Sequence, residues 1–232
     1  MTVNPAEPVK LREDVVGGKY HIAPMSVYSM LAATVARVPG RTALAVKRNG
    51  VWVKWTYAEY WADILTVAKA FIKLGLQPHH SVAILGHNAP EWHISNIASI
   101  LAGGLACGVY TTSSAEAVQY KLEHSRANIL VLEDEQQLAK VDMASEHVRC
   151  VVQWAGDTAN TPPGVLTWSQ LLTIGRAESD HELTSRLEQQ AVNMACMLVY
   201  TSGTTGNLDH ESCAKRFNNN SRFSQGCFAI PR

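Results

Sequence analysis

The stretch that decides the fold runs from position 198 to 206 and reads Leu198-Val199-Tyr200-Thr201-Ser202-Gly203-Thr204-Thr205-Gly206. The apolar start predicts a short β-strand, and the glycines and hydroxyl residues after it predict a loop. Glycine lets the backbone approach a ligand closely, consecutive N–H groups form an anion-binding concavity, and hydroxyls donate hydrogen bonds to phosphate oxygens. The segment therefore predicts a strand that ends in a phosphate-binding loop.

The candidate phosphate ligands are the six residues of that loop: Thr201, Ser202, Gly203, Thr204, Thr205 and Gly206. A flexible linker would have a similar composition, but the strand before the loop favours a binding role. The spacing differs from that of the P-loop in common nucleotide hydrolases, which has four residues between its glycines and then a lysine. Here two residues separate the glycines and Asn207 follows, so a different phosphate loop is required.

Composition and charge narrow the class of protein. Of the 232 residues, 47% are apolar, and 20 basic residues balance 20 acidic ones. This balance predicts a folded chain and argues against nucleic acid or an anionic membrane as the main partner. The chain has five cysteines, an odd number, and no C-x-x-C pair. This pattern favours neither a disulfide framework nor a zinc site. The cysteines are Cys107, Cys150, Cys196, Cys213 and Cys227.

No segment of the chain has the pattern of a signal peptide or a membrane span. The N-terminal residues lack a basic region followed by an apolar one, and the longest apolar stretch, 97–110, is too short to cross a bilayer. We therefore expect a cytoplasmic protein, with peripheral attachment to membranes as the alternative.

The first part of the chain predicts a helix, a hairpin and a second helix. Apolar residues recur at helical spacing over 25–38. Two runs rich in residues that favour β-strands, 42–47 and 51–56, flank Asn49-Gly50, a pair typical of tight hairpin turns. Thr56-x-x-Glu59 then has the spacing of a capping box, in which the threonine and the glutamate satisfy the first N–H groups of a helix. That helix is expected to end at Gly75.

From there on, short apolar strands alternate with capped helices. The strands are predicted at 82–85, 105–110, 129–132, 148–153 and 165–168, the further caps at Asn88-x-x-Glu91, Ser113-x-x-Glu116 and Thr167-x-x-Gln170, and a polar-faced helix at 133–144. Such alternation predicts an α/β fold with a mostly parallel sheet that helices cover on both faces. Ligands bind at the carboxyl ends of such strands, which is where the loop after Tyr200 stands.

These patterns divide the chain into three parts. Residues 1–24 are expected to be an irregular N-terminal arm, 25–206 an α/β domain, and 207–232 a divergent, disordered tail.

Other residue groups are better explained by structure than by chemistry. His79-His80 follow a proline in an expected surface turn, and the nine histidines have no spacing suited to a metal. The cluster Glu133-Asp134-Glu135 has two interpretations, a cation site or the acidic start of a helix, and the helix dipole favours the second. Gly103-Gly104 is expected to end a helix. We predict no metal ligand and no catalytic residue in this chain.

The loop motif YTSGTTG at 200–206 resembles the signature phosphate loop of the adenylate-forming (AMP-binding) superfamily. Four further segments resemble its long-chain acyl-CoA synthetases, most nearly the bubblegum type: WTYAEY at 55–60, SVAILG at 81–86, NAPEW at 88–92 and GVYTTSS at 108–114. The resemblance covers roughly residues 20 to 207 and identifies 25–206 as part of an AMP-binding (adenylation) domain. Family members continue with Pro-Lys-Gly, whereas this chain has Leu208-Asp209-His210.

The resemblance implies an ATP-dependent ligase with ATP, Mg²⁺ and CoA. A fatty carboxylate attacks the α-phosphate of ATP, pyrophosphate leaves, and the acyl group passes from AMP to the thiol of CoA. N–H and hydroxyl donors of a loop such as 201–206, the implied nucleotide-binding residues, stabilise charge that develops at the transferring phosphorus. The resemblance also implies that the adenine pocket, the acidic magnesium partner, the ribose-binding aspartate and the catalytic lysine follow the loop.

Three interpretations of function remain at this point. The first is a truncated N-terminal fragment of a long-chain acyl-CoA synthetase that lacks activity alone. The second is a non-catalytic binding or regulatory module that pairs with the full-length enzyme. The third is an adenylate-forming enzyme for another carboxylic acid. The partners implied by the resemblance are a fatty acid, ATP and CoA.

Overall fold

The computed structural model describes residues 4–8 and 24–200, together with the backbone of two short strands further on. The helices are α1 (Val27–Arg37), α2 (Tyr57–Lys73), α3 (Pro90–Leu101), α4 (Ala115–His124), α5 (Glu135–Leu138), α6 (Trp168–Ala177) and α7 (His181–Glu188), with a 3-10 turn at Thr158–Asn160. The strands are β1 (Thr42–Arg48), β2 (Val51–Thr56), β3 (Ser81–Leu85), β4 (Leu105–Val109), β5 (Ala127–Leu132), β6 (Cys150–Gln153), β7 (Val165–Thr167), β8 (Met197–Val199), β9 (Ala214–Lys215) and β10 (Cys227–Phe228).

Six strands form one sheet in the order β7-β6-β5-β3-β4-β8, and every neighbouring pair in it is parallel. The predicted α/β fold with a parallel sheet is therefore confirmed. β8 lies at one edge of this sheet, beside β4. Two antiparallel pairs, β1 with β2 and β9 with β10, form separate two-stranded sheets. Within the predicted tail 207–232 the structure describes only β9 and β10, and most of the predicted arm lies outside the described residues.

Helices cover both faces of the sheet. Alternate residues of β3 and β5 belong to two separate hydrophobic cores, one on each face. Val82 and Ile84 of β3 pack with α2, α3, α6 and α7, whereas Ala83 and Leu85 face α4. Successive side chains of a strand point to opposite faces, so a strand buried on both sides is apolar throughout. Each fully buried aliphatic side chain contributes roughly 1.5 to 3 kcal/mol, which makes these two cores the main source of stability.

The hairpin of β1 and β2 turns where the sequence predicts. Asn49 and Gly50 both have positive φ angles, 50° and 81°, as a two-residue turn of this kind requires. Lys47 pairs with Trp52 and Arg48 with Val51 across the ladder, so these pairs lie on opposite faces of the hairpin.

One face of the hairpin is held to the domain by an ion pair whose carboxylate is buried. The Arg48 guanidinium contacts the Glu91 carboxylate on α3, and the Glu91 side chain is only 4% exposed. Arg48 also lies over the Trp55 ring, 5.7 Å from its centre, and the Trp55 indole N–H donates to Asp63 on α2 at 3.1 Å. The hairpin is therefore held to both α2 and α3.

Two of the predicted helix caps are confirmed and two are wrong. Thr56 with Glu59 and Thr167 with Gln170 form complete capping boxes. Ala89 precedes α3 instead of Asn88 and makes no side-chain bond, because Pro90 supplies the favoured first position and Glu91 is engaged by Arg48. α4 is capped by Ser114, one residue later than predicted.

The predicted helix at 133–144 is wrong in length, and α7 was not predicted. Only Glu135–Leu138 is helical, since Asp142 closes a turn onto the Ala144 N–H at 2.9 Å. α7 has a sparse apolar stripe. Hydrogen bonds attach it to the domain: Arg186 donates to the carbonyls of Leu76 and Ala102, both at 2.8 Å.

α6 crosses α2 at a glycine. A Cβ on Gly175 would lie 2.0 Å from the carbonyl oxygen of Thr66, so only a hydrogen fits between the two helices. Gly103, with a φ of 78°, ends α3 as predicted. Among the described residues, no helix combines the length and the apolar character that a bilayer span needs.

Candidate active site at the carboxyl edge of the sheet

The loops that follow the parallel strands meet at one edge of the sheet. The carboxyl ends of β3, β4 and β5 are adjacent there, and β8 ends beside β4, with Val199 paired to Gly108. Open parallel sheets bind their ligands at this edge. The loop that begins at position 201 therefore starts from the edge at which a ligand is expected.

The predicted phosphate ligands themselves lie outside the described residues: Thr201, Ser202, Gly203, Thr204, Thr205 and Gly206. Their assignment stays a prediction. The structure describes the strand that leads into them, and it also describes how Tyr200, the residue before Thr201, is fixed.

Tyr200 is anchored to helix α4. Its side chain is buried, and its hydroxyl lies 2.8 Å from Nδ1 of His124 in the last turn of α4. The His124 ring meets the Tyr200 ring edge-on, with ring centres 5.8 Å apart, and stacks on the Tyr120 ring, with ring centres 5.3 Å apart. The residue immediately before the predicted phosphate loop thus has one fixed position.

The chemistry of this pair follows from its burial. Burial lowers the pKa of His124 and, with smaller contributions from Cys107 and Tyr120, raises the pKa of Tyr200 above its ordinary value. The imidazole is therefore neutral and the phenol protonated at pH 7. The phenol O–H donates to Nδ1 in the tautomer that carries its hydrogen on Nε2, and Nδ1–H donates to the phenol oxygen in the other.

We expect Tyr200→Phe to lower the free energy of unfolding by about 1.5 kcal/mol at pH 7.5, because it leaves a half-buried Nδ1 without its hydrogen-bond partner. Tyr28→Phe removes an exposed hydroxyl and is the matched control, with an expected change within about 0.5 kcal/mol. Urea unfolding of the two variants and the parent measures both values.

The same pair predicts a pH dependence. The folded-state pKa of His124 is depressed, so its contribution to stability is present above the unfolded value near 6.5 and is lost as the pH falls below it. Protonation reverses the hydrogen bond, because the imidazolium Nδ1–H then donates to the phenol oxygen. We therefore expect the free energy of unfolding to fall more between pH 7.5 and 5 for the parent than for His124→Gln, and equal falls would contradict the lowered pKa of His124.

Two lysines hold the loop that follows β4. Lys121 on α4 donates to Oγ of Ser113 at 2.9 Å, and Lys140 donates to the carbonyl of Thr111 and to Oε1 of Gln137. Burial lowers the pKa of Lys121. Ser113, predicted as a helix cap, serves instead as the acceptor of this lysine.

A histidine and a glutamate link the loops after β3 and β5. The Glu133 carboxylate accepts from the His87 backbone N–H at 2.9 Å and lies 2.8 Å from His87 Nδ1. His87 Nε2 lies 3.4 Å from the Thr111 hydroxyl in the loop after β4. Three loops of the carboxyl edge are therefore joined through one exposed imidazole.

Gly86 and Trp154 pack tightly at the same edge. A Cβ on Gly86 would lie 2.3 Å from the Trp154 ring and 2.9 Å from Glu133 Cβ, so glycine is required for the indole to lie there. The indole thus packs against the loop that carries His87.

The acidic cluster at 133–135 is used structurally. Asp134 caps α5 by accepting the Gln137 N–H at 3.0 Å, Glu133 holds His87, and Glu135 accepts the Asp157 N–H at 3.2 Å. Among the described residues there is no group of three or more histidine, cysteine or acidic residues that could hold a metal.

Sequence reasoning located the strand that leads to this edge but missed the residue pairs that support it. Tyr200 and His124 are 76 positions apart, and His87 and Glu133 are 46 apart. No spacing or periodicity signals such pairs, because the order of strands in the sheet brings them together.

The comparisons with known proteins identify the family. The model of the AMP-binding enzyme family matches residues 31–208, and the chain therefore belongs to that family. Its curated relatives include the long-chain-fatty-acid–CoA ligase ACSBG2 of Gallus gallus, which is 41% identical over 202 residues, or 85% of this chain and 26% of the relative. The ligase ACSBG1 of Rattus norvegicus is 38% identical over 189 residues, or 79% of this chain and 26% of the relative. The resemblance to acyl-CoA synthetases of the bubblegum type is thus confirmed.

The chain spans about a quarter of the length of these curated relatives. Solved structures share its fold at low sequence identity. The anthranilate CoA ligase AuaEII in complex with anthranoyl-AMP matches with a TM-score of 0.69 at 18% identity, over 85% of this chain and 35% of that one. The N-terminal subdomain of Klebsiella oxytoca NpsA, with 3-hydroxyanthranilyl-AMSN, gives 0.63 at 18% identity, over 87% of this chain and 43% of that one. The fold is that of the N-terminal region of adenylate-forming enzymes.

Proposed function

We propose that this chain carries the ATP-binding loop of a long-chain fatty acid–CoA ligase. The whole reaction forms an acyl adenylate from a fatty acid and ATP, with release of pyrophosphate, and then transfers the acyl group to CoA. The observation that carries this proposal is the position of β8. It runs parallel to β4 and ends at the carboxyl edge of the sheet, so the loop that follows it begins there.

The physical need for such a loop is electrostatic. A carboxylate and a triphosphate repel each other, and fixed N–H and O–H donors reduce that repulsion and stabilise the charge that develops at phosphorus. Residues 201–206 offer four hydroxyls and two glycines for this purpose. The Tyr200–His124 pair supports the proposal because it fixes the start of the loop.

The likeness to the curated relatives favours a fatty acid over an aromatic acid. The ligases that act on long-chain fatty acids are 35 to 41% identical to this chain, whereas the anthranilate ligase is 18% identical and shows the fold alone. We propose CoA as the acyl acceptor on the same ground. Mg²⁺, which the family resemblance also implies, is proposed as the cation that accompanies ATP.

ATP binding by the chain tests the role of the loop. We expect Ser202→Ala/Thr204→Ala to weaken binding about tenfold, because hydrogen bonds from two hydroxyls to charged oxygens are lost. Thr184→Ala/Ser185→Ala makes the same chemical change on α7 and is the matched control. Ligand-observed NMR titration with ATP suits weak binding, and equal affinity of the two double variants would contradict the proposal.

We further propose that these 232 residues alone do not complete the adenylation reaction. They span about a quarter of the ligases they resemble, and the resemblance assigns the adenine pocket and the catalytic lysine to positions after the loop. Fatty-acid-dependent exchange between ATP and pyrophosphate measures this half-reaction. Exchange above the level of Ser202→Ala/Thr204→Ala would show that the chain is active by itself.

A further inference from the structure

The turn of the β1–β2 hairpin exposes three consecutive apolar residues. Val51 is 66% exposed, Trp52 60% and Val53 37%. Exposed tryptophan is uncommon on a soluble surface that has no partner, and a run of apolar residues at a hairpin tip marks an interaction site. The hairpin is fastened to α2 and α3 through Arg48 and Trp55, so a fixed scaffold presents the tip.

The charge around this tip has one sign. Residues 42–56 contain Lys47, Arg48 and Lys54 and no acidic residue, although the whole chain has a formal net charge of +0. Lys47 lies directly opposite Trp52, and Lys54 lies two residues after it on the same face. Both lysines are exposed, and within the described part of the chain neither forms an ion pair. Trp52 is therefore flanked by two free ammonium groups.

We propose that this hairpin face, formed by Lys47, Trp52 and Lys54, docks on the surface of an anionic lipid bilayer. Tryptophan rings favour the boundary between lipid headgroups and acyl chains. Lysines place their aliphatic stems along that boundary and their ammonium groups at the phosphates. The inference stands on the hairpin alone and does not depend on the proposed function.

A protein partner fits this surface less well. A stable protein interface buries about 800 Å² on each side, and three exposed residues at a narrow tip supply only a fraction of that area. A bilayer surface adapts to the shape of the hairpin tip. Its phosphates carry the negative charge that attracts the two lysines. The contact is a peripheral one, made by side chains at a tip.

Vesicle flotation of the chain tests the proposal. We expect binding to vesicles of phosphatidylcholine mixed with phosphatidylserine, weaker binding to phosphatidylcholine alone, and a loss of binding as salt is added. Lys54→Glu and Trp52→Ser should each lower the partition coefficient by about tenfold. Arg37→Glu makes the same charge change in the last turn of α1 and should leave it unchanged.

The variants also carry a control for folding. Trp52 and Lys54 are exposed, so thermal unfolding followed by circular dichroism should be the same for each variant and the parent. Equal binding of the parent to charged and neutral vesicles would overturn the proposal. So would equal binding of Trp52→Ser, Lys54→Glu and Arg37→Glu. If Trp52→Ser abolished self-association of the chain in the absence of lipid, the face would be a protein interface and the lipid proposal would be wrong.

Discussion

Gly175→Ala should destabilise the protein by about 3 kcal/mol, although alanine is the better helix former. Helix propensity alone would favour the change by about 1 kcal/mol. The new Cβ, however, would lie 2.0 Å from the Thr66 carbonyl oxygen, 2.8 Å from its carbonyl carbon and 2.9 Å from its Cγ2. The carbonyl oxygen and carbon of Thr66 belong to the backbone of α2 and cannot rotate away. α6 and α2 must therefore move apart and lose packing.

Gly40→Ala is the matched control for this change. Nothing lies within 4 Å of the position that a Cβ on Gly40 would take, so its unfolding free energy should stay within about 0.5 kcal/mol of the parent. Urea unfolding followed by circular dichroism separates the two variants. If Gly175→Ala proved as stable as Gly40→Ala, the two helices would be further apart than described.

Arg48→Ala should destabilise the protein by about 2 kcal/mol, because it leaves the Glu91 carboxylate buried without a cation. Glu91 Oε2 has no hydrogen-bond partner among the described residues, which makes this carboxylate dependent on Arg48. Removing one partner of a fully buried pair costs about 3 to 5 kcal/mol. The Arg48 side chain is 46% exposed, so water weakens the interaction and the expected loss, about 2 kcal/mol, lies below that range.

Two further variants sharpen this test. Lys47→Ala removes a neighbouring exposed cation that has no acidic partner, and its stability should stay within about 0.5 kcal/mol of the parent. Arg48→Met/Glu91→Leu removes both charges and should recover most of the lost stability, since buried pairs are often replaceable by apolar residues. Chemical unfolding measures all three. A double variant as unstable as Arg48→Ala would mean that the arginine acts by packing rather than by charge.

The parts of the fold that sequence predicted are those that depend on local physics. Asn49-Gly50 sets a tight turn by its own backbone preferences, and Thr56 with Glu59 caps a helix within four residues. The short apolar runs became strands because helices cover the sheet on both faces, which the alternation of elements already required.

The errors arose where tertiary contacts override local preference. Glu91 has the spacing of a capping residue but is drawn to Arg48, 43 positions earlier in the chain. α7 has a weak apolar stripe, and Arg186 stabilises it through carbonyls of residues far away in sequence. The supports of the candidate site belong to the same class, because His124 reaches Tyr200 only after α4 and β8 are both in place.

The position of β8 also bears on how the protein folds. β3, β4 and β5 are joined by single helices and can pair as soon as those helices form, whereas Val199 must find Gly108 across the whole length of β5, β6 and β7. Closing a contact over so long a separation is slow, and strands made late in synthesis add to a core that already exists. We therefore expect β8 to be the last of these six strands to join the sheet, so that the proposed phosphate loop would reach its place only after the other five have paired.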